Sequence, residues 1–107
     1  MNYTENYNGI KIDVQAVDIT VHDELQQVVR DTITKLQRYV REINWVDVYF
    51  TIERAHNTDN KNLSMRVGVP GPDVYASDSG TDWLPMMKSV EDKLRRQMEK
   101  LDYAKKH

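Results

Sequence analysis

The segment KSVEDKLRRQMEK, residues 88–100, concentrates side chains that can recognise an anion. It holds five of the fifteen basic residues of the 107-residue chain. Lys93, Arg96 and Lys100 are spaced i, i+3 and i+7, so on a helix they form one stripe. Asp92 can pair with Arg96, but Arg96 and Lys100 place two like charges four residues apart, which costs stability on an isolated helix. A phosphate backbone would neutralise such a stripe.

Charge is distributed unevenly along the chain, although the formal net charge is only −2. Residues 1–87 carry 8 basic and 13 acidic side chains, whereas residues 88–107 carry 7 basic and 4 acidic ones. This asymmetry indicates an anionic partner for the C-terminal segment. A structural interpretation is also open, because cations near a helix C-terminus interact favourably with the helix dipole and exposed helix faces are usually charged.

A second group of basic residues lies on the solvent face of a helix predicted earlier in the chain. They fall within about 140° of one another at ~100° per residue, with acidic residues interspersed. If both helices cover the same side of a sheet, their outer surfaces adjoin. We therefore predict one polyanion-binding surface. Its residues are Arg30, Lys35, Arg38, Arg41, Lys93, Arg96 and Lys100.

Residues that usually carry catalysis or bind metals form no comparable arrangement. The chain has no cysteine, which excludes disulfides and thiol chemistry. His22, His56 and His107 have no ligand-type residue at a convincing helical spacing, and the four glycines are scattered among turns. No strand-to-helix nucleophile motif is present. We expect no enzyme activity, no metal site, no cofactor and no small-molecule substrate.

The elements that must position the basic residues can be predicted from periodicity. Residues 1–9 have the polar composition of a flexible N-terminal tail. Apolar residues alternate over residues 10–16, which predicts a half-buried first strand. Thr20 is then the predicted N-cap of the first helix. Apolar residues spaced by three and four, from Leu25 to Ile43, predict that this helix follows Thr20 and runs to about residue 43.

Three further strands are predicted downstream. Alternation over residues 44–53 and again over residues 63–69 predicts two strands, with residues 54–62 as a polar loop between them. Residues 74–78 predict a short final strand after a turn that contains Pro70.

A second helix should begin after Asp82, a plausible N-cap, and run to about Ala104. Pro85 would lie in its first turn, where proline is tolerated. The order β-α-β-β-β-α predicts an α+β fold, namely a two-layer sandwich in which a four-stranded sheet carries both helices on one face. The first two strands should form a β-α-β crossover unit and the last three an antiparallel meander. Residues 10–107 are predicted to form a single domain.

The predicted sheet leaves one face without helices, and three aromatic residues point to that face: Trp45, Tyr49 and Tyr75. Exposed aromatic rings can stack bases of single-stranded RNA. They can also bury a partner protein or a second copy of the chain in a weak homodimer. A structural role is equally open, since aromatic residues favour strands and pair across them.

The chain carries no feature of a membrane or secreted protein. No run approaches the ~20 apolar residues that span a bilayer. The N-terminal MNYTENYNG lacks the charged and apolar regions of a signal peptide. We therefore expect a cytoplasmic protein without a membrane partner.

Three motifs carry a resemblance to a known family: KLQRY late in the first helix, VPGPDVYAS after a strand, and DKLRRQMEK in the second helix. Over roughly residues 10–104 the chain resembles the ribosome hibernation-promoting factors, also called ribosome-associated inhibitor A or sigma-54 modulation proteins. The resemblance implies a short form without the C-terminal domain that pairs ribosomes in longer members.

The resemblance also implies a function. Such factors bind the small ribosomal subunit under stress or in stationary phase and occupy the channel for mRNA and tRNA anticodon stems. Their basic helical surface contacts rRNA, and their presence blocks initiation of translation without any chemical step. The residues that match the family's basic positions are Lys35, Arg38, Lys93, Arg96 and Lys100.

Two segments differ from the family pattern. The second helix starts with Trp83-Leu84-Pro85, where Leu84 replaces a common tyrosine and Pro85 is unusual. The first helix has Gln26, Asp31 and Thr32 where basic residues are frequent. The resemblance therefore implies an rRNA surface with fewer cations than is typical.

Overall fold

The structure of the protein, a computed structural model, describes residues 1–55 and 58–106. These residues form one mixed sheet of five strands and a layer of two helices. The elements are β1 (Asn2–Tyr7), β2 (Ile10–Ala16), α1 (Asp23–Leu36), β3 (Trp45–Ala55), β4 (Thr58–Gly68), β5 (Val74–Gly80) and α2 (Trp83–Lys106).

The strands lie in the order β1-β2-β3-β4-β5 across the sheet. β2 and β3 are parallel, whereas every other neighbouring pair is antiparallel. Parallel neighbours require a crossover connection, and α1 supplies it. The predicted β-α-β unit and antiparallel meander are therefore confirmed.

The prediction of a four-stranded sheet is wrong, because β1 adds a fifth strand antiparallel to β2. β1 lies within residues 1–9, whose polar composition had suggested a tail. Asn8 and Gly9 connect the strands with φ values of 51° and 82°. Positive φ at both positions is what a two-residue type I′ hairpin turn requires. Tyr3 and Tyr7 pack against the core from alternate positions, so β1 is a half-buried edge strand.

The hydrophobic core lies between one face of the sheet and the two helices. Side chains along β2 alternate between buried and exposed, as expected for a sheet with one covered face. Both helices pack on that face, as predicted. The helical residues at the centre of the core are Val29, Ile33 and Leu36 of α1, and Val90, Leu94 and Met98 of α2.

α1 is shorter than predicted at both ends. Its N-cap is His22, which makes no side-chain capping bond, rather than Thr20. The helix ends at Leu36. Arg38 and Arg41 therefore follow the helix instead of extending its solvent face.

The apolar residues beyond the end of α1 have a packing role that periodicity could not separate from a helix. Ile43 is buried and Val40 packs against the core, although neither is helical. The chain turns after Leu36 so that β3 can begin beside β2, and the Asn44 N–H donates to the Gly68 carbonyl at 2.8 Å.

The predicted polar loop over residues 54–62 is largely strand. β3 continues to Ala55 and β4 begins at Thr58, and Glu53 pairs with Asn60 in the ladder. The polar residues therefore belong to two paired strands rather than to a long loop. Residues 56–57 lie outside the described part of the chain.

α2 begins directly after Asp82, as predicted. The Leu84 N–H donates to Asp82 Oδ1 at 3.4 Å, and Pro85 lies in the first turn. α2 ends at Lys106, two residues later than expected.

Candidate nucleic-acid interface

α1 and α2 lie side by side, and the groove between them gathers charged residues from both helices. The groove has a volume of about 350 Å³. We call it the interhelical groove. Its lining residues are Lys35, Leu36, Arg38, Tyr39, Lys88, Glu91, Asp92 and Arg95.

A single carboxylate organises the centre of the interhelical groove. Glu91 is only 8% exposed. Its Oε1 lies 3.8 Å from Lys35 Nζ on α1, and its Oε2 lies 3.3 Å from Lys88 Nζ on its own helix. A buried carboxylate requires such partners, because its desolvation is otherwise costly. Glu91 therefore holds two lysines from different helices at one place.

Both lysines remain available to an external anion. The Lys35 side chain is 54% exposed and that of Lys88 65% exposed. Lys88 Nζ also lies 3.9 Å from Asp92 Oδ1, yet the three contacts with Glu91 and Asp92 leave N–H donors of both ammonium groups unused. Phosphate oxygens could accept the remaining hydrogen bonds from the solvent side.

The end of the groove nearest the C-terminus of α1 carries two arginines. Arg95 donates to Glu99 Oε1 at 3.2 Å across one helical turn. Arg38 is exposed, and its side chain forms no ion pair with the side chains described in residues 1–54 and 60–101. Tyr39 is 37% exposed beside them. Guanidinium groups can bind the phosphates of RNA, and an aromatic ring beside them can stack on a base.

The start of α2, which departs from the resemblance, forms the opposite end of the groove between the helices. Trp83 packs edge-on against Phe50 with ring centroids 5.1 Å apart, so it belongs to the core margin. Leu84 is 55% exposed and lies near Val28 of α1. This end of the groove combines apolar and charged residues, whereas the other end carries both arginines.

Lys93, in contrast, faces the edge of the sheet. Its Nζ donates to the Ser77 carbonyl at 2.7 Å and lies 4.0 Å from Asp78 Oδ1. Lys100 is displaced only about 20° from Lys93 around the helix at ~100° per residue. The predicted stripe therefore starts on the side of α2 away from α1.

Arg30 is also already bound. Its Nε and Nη2 donate to the two carboxylate oxygens of Glu5 on β1, at 2.7 and 2.8 Å. Such a two-pronged pair is among the stronger ionic contacts in proteins. The hydrogen bonds from Arg30 lower the pKa of Glu5, and those to Glu5 raise the pKa of Arg30. β1 thus neutralises one cation of the predicted surface.

The structure divides the predicted residues into three groups. Lys35 and Arg38 line the groove, whereas Arg41, Arg96 and Lys100 are exposed outside it. Arg30 and Lys93 are bound to β1 and β5. We had not predicted Lys88, Glu91 and Arg95, although positions 88, 91 and 95 have the same i, i+3, i+7 spacing. Identifying that stripe required knowing which side of α2 faces α1.

On the open face, only two of the three predicted aromatic residues are exposed. Tyr49 and Tyr75 are 39% and 45% exposed and line a shallow groove with several hydroxyl groups. Trp45 lies against Gly68, where an added Cβ would overlap the indole ring. Its aromatic ring therefore covers the sheet backbone. The guanidinium of Arg66 lies 5.1 Å from the ring of Tyr75, a cation–π distance.

Carboxylates occupy the middle of the open face. Asp13 and Asp47 are partners in the register of β2 and β3. Burial, and secondly the charge of Asp13, raise the pKa of Asp47. Lys11 and Arg66 offset part of this negative charge, but the paired carboxylates make this strip less favourable to phosphate than the groove on the helical face.

Metal binding finds no support in the described part of the chain, where no three His, Cys, Asp or Glu side chains lie close enough to hold an ion. His22 is exposed before α1, while His56 and His107 lie outside the described residues. A separate observation concerns membranes: neither helix, over the described residues, has the length and apolar character needed to cross a bilayer.

Comparison with known sequences gives consistent matches over nearly the whole chain. The model of the family described as sigma 54 modulation protein / S30EA ribosomal protein matches residues 12–105. The chain is 27% identical over 99 residues to a ribosome hibernation promoting factor of Escherichia coli (strain K12), covering 92% of this chain and 100% of the relative. It is 25% identical over the same length to the Salmonella typhimurium (strain LT2) protein of that name.

Solved structures share the fold. A ribosomal subunit interface protein from Coxiella burnetii aligns with a TM-score of 0.69 and 21% identity, covering 86% of this chain and 97% of that one. The Protein Y N-terminal domain of Thermus thermophilus aligns with a TM-score of 0.64 and 16% identity, covering 91% and 99%. β1 precedes the residues that the family model matches.

Proposed function

Because the chain belongs to the sigma 54 modulation protein / S30EA ribosomal protein family, we propose that it binds the ribosome and acts as a hibernation factor. The E. coli and S. typhimurium relatives that match 92% of the chain bear the name ribosome hibernation promoting factor. Family membership confirms the resemblance found in the sequence. The proposal places the protein in the cytoplasm, with ribosomes.

The proposed binding surface is the helical face, and its proposed target is rRNA of the small subunit. The observation that carries this proposal is the interhelical groove, in which Glu91 gathers Lys35 and Lys88 while Arg38 and Arg95 flank them. Cations held at fixed spacing match the spaced phosphates of an RNA backbone. Arg41 and Arg96 extend this surface beyond the groove, and Lys100 adds an exposed cation on the side of α2 nearer β5.

The proposed mechanism is exclusion by occupancy. The protein fills the mRNA and tRNA channel, and its phosphate contacts keep it there while translation is halted. No step makes or breaks a covalent bond, so no catalytic residue or cofactor is invoked. Arg30 and Lys93 contribute less than we predicted from sequence, because β1 and β5 already bind them.

Co-sedimentation with purified small subunits tests the proposed surface. The double variant Arg38→Glu/Arg95→Glu reverses two cations of the groove. Lys11→Glu/Arg54→Glu makes the same change in net charge at exposed positions outside the helical layer. We expect the first variant to remain in the supernatant and the second to pellet like wild type. Wild-type stoichiometry for the groove variant would overturn the proposed surface.

A second candidate function is binding through the open face, and exposed Tyr49 and Tyr75 favour it. The sequence left two kinds of partner open for this face, single-stranded RNA and a protein. The carboxylates of Asp13 and Asp47 disfavour RNA, so the candidate partner is another protein or a second copy of the chain in a weak homodimer. Tyr49→Ala/Tyr75→Ala should abolish capture of such a partner and spare ribosome binding. An unchanged set of captured partners would remove this candidate.

A further inference from the structure

The two edges of the sheet differ in how their outward backbone groups are satisfied. At the β5 edge, the Gln97 side chain accepts from the Tyr75 N–H at 3.0 Å and donates to the Tyr75 carbonyl at 2.6 Å. Lys93 donates to the carbonyl of Ser77, two residues further along. Side chains of α2 therefore occupy both outward groups of Tyr75 and the carbonyl of Ser77, which an added strand would need.

At the β1 edge the outward groups can be identified from the ladder. Ala16 N–H donates to the Met1 carbonyl at 3.0 Å, and the Met1 nitrogen donates to the Ala16 carbonyl. Such hydrogen-bonded pairs alternate with non-bonded pairs along antiparallel strands. The N–H and C=O groups of Asn2, Thr4 and Asn6 therefore point away from β2. Within the described residues, no other group bonds to them.

β1 has few of the features by which proteins protect an edge strand, and its one inward-facing charge, Glu5, is neutralised by Arg30. Its sequence NYTENY contains neither lysine nor proline, and its six residues pair with β2 without a bulge. An unprotected edge of this kind presents a template for another strand. Because β1 precedes residues 12–105, this edge is an addition to the part of the fold that the family model matches.

We propose that β1 pairs antiparallel with β1 of a second copy, about a two-fold axis through Thr4. Asn2 of one copy then lies opposite Asn6 of the other, and Thr4 lies opposite its own counterpart. Every outward N–H and C=O of one strand meets a complementary group of the other. The proposal is independent of ribosome binding.

The side chains select this register and this occupant. Centring the pair on Thr4 places Glu5 opposite Tyr3 of the other copy, whereas centring it on Glu5 would bring two carboxylates together, which is destabilising. Tyr3, Glu5 and Tyr7 all face the helical side in both copies. The ten-stranded sheet of the dimer therefore has all its helices on one face and leaves the other face open. A shift of one residue would reverse the faces of one copy.

The same comparison of edges predicts where assembly stops. A two-fold contact uses the same surface on both copies and closes on itself. The remaining edges are both β5, where Gln97 and Lys93 occupy the outward groups of Tyr75 and the carbonyl of Ser77. α1 lies over β1 through the Arg30–Glu5 pair and the 2.8 Å hydrogen bond between Tyr7 and Thr34, so the two α1 helices add contact area. We expect a reversible dimer rather than a fibre.

Sedimentation velocity of the full chain over a wide concentration range tests the proposal. Wild type should shift from one-copy to two-copy mass as concentration rises. Thr4→Pro removes both central N–H donors of the proposed pair and should weaken dimerisation at least about tenfold. Ser79→Pro places proline at an outward position of β5, two residues after Ser77, and should leave dimerisation unchanged. Wild type that keeps one-copy mass throughout would overturn the proposal.

A charge exchange separates pairing from folding. Thr4→Lys and Thr4→Glu each place like charges opposite one another across the two-fold axis, so each variant alone should be monomeric. Thr4 also lies opposite Asp13 of its own copy, so a cooperative thermal transition of each variant is the control for folding. Mixing the two should restore a two-copy species. The proposal fails if either variant alone dimerises like wild type, or if Tyr49→Ala/Tyr75→Ala dissociates the dimer instead.

Discussion

On the helical face two lysines from different helices meet at one carboxylate, whereas on the open face two carboxylates lie side by side on neighbouring strands. Glu91 is surrounded by cations and leaves a positive groove. Asp47 has Asp13 as its neighbour and a raised pKa. A chain with a net charge of only −2 therefore presents two surfaces of opposite character. The placement of charges, rather than their sum, decides which face can meet a polyanion.

The largest expected effect is on the salt dependence of ribosome binding. Arg38→Glu/Arg95→Glu should remove two phosphate contacts. The slope of log affinity against log salt should then fall in magnitude by roughly 1.4–1.8, since each contact contributes roughly 0.7–0.9. Binding measured at several salt concentrations checks this. An unchanged slope, or an equal change for Lys11→Glu/Arg54→Glu outside the groove, would contradict the proposed groove contacts.

The next effect tests whether Trp45 is a structural part of the open face. Gly68→Ala adds a Cβ that overlaps the indole ring, so the ring or the strand must move. We expect a loss of about 2 kcal/mol in the free energy of unfolding, typical of overpacking. Gly80→Ala is the matched control, because its Cβ would lie 3.5 Å from Met86, an ordinary contact. Equal stability of the two variants in denaturant titrations would contradict this role.

A smaller effect concerns Arg30, whose charge on the helical face is neutralised by Glu5 of β1. The lowered pKa of Glu5 means that the Glu5–Arg30 pair stabilises the fold above the usual glutamate pKa, and that this stability is lost as pH falls through the lower folded pKa. Glu5→Gln should therefore lower the thermal midpoint at pH 7 and have little effect in strong acid. The same variant frees Arg30 and should strengthen ribosome binding slightly. A midpoint difference independent of pH would contradict the assignment.

The smallest effect is expected at Asp47. Burial and, secondly, Asp13 raise the pKa of Asp47, so Asp47 takes up a proton more readily in the folded protein than in the unfolded chain. The stability associated with that proton is present below the unfolded pKa and is lost as pH rises through the folded one. Asp47→Asn should therefore stabilise the protein at neutral pH by no more than about 0.5 kcal/mol after solvent screening. Destabilisation at pH 7 in thermal melts would argue against carboxylate crowding.

Much of the fold follows from local patterns in the sequence. β2 occupies the predicted residues 10–16, and α2 begins after Asp82 with Pro85 in its first turn. Both depend on short-range chemistry, namely alternation and capping. The end of α1 was missed because Val40 and Ile43 continue the helical spacing while packing in a non-helical segment. A long-range constraint, the start of β3 beside β2, ends the helix.

β1 was missed for a different reason. Its residues are polar because they form a half-exposed edge, and composition alone suggested a tail. The pair Asn8-Gly9 with tyrosines at alternating positions before it predicts a type I′ hairpin and was a usable indication. The groove residues Lys88 and Arg95 could not be found in this way. Assigning Lys88 and Arg95 to the groove, and Lys93 to the sheet edge, depends on how α2 is rotated against α1.

Site-directed crosslinking tests most directly whether the helical face meets RNA. The chain has no cysteine, so one introduced thiol carries a photoreactive group at a single place. Asp92→Cys places the group in the interhelical groove, and Thr51→Cys places it on the open face. We predict that the groove position crosslinks to rRNA of the small subunit and the open-face position does not. Crosslinks to rRNA from Thr51→Cys alone would contradict the account.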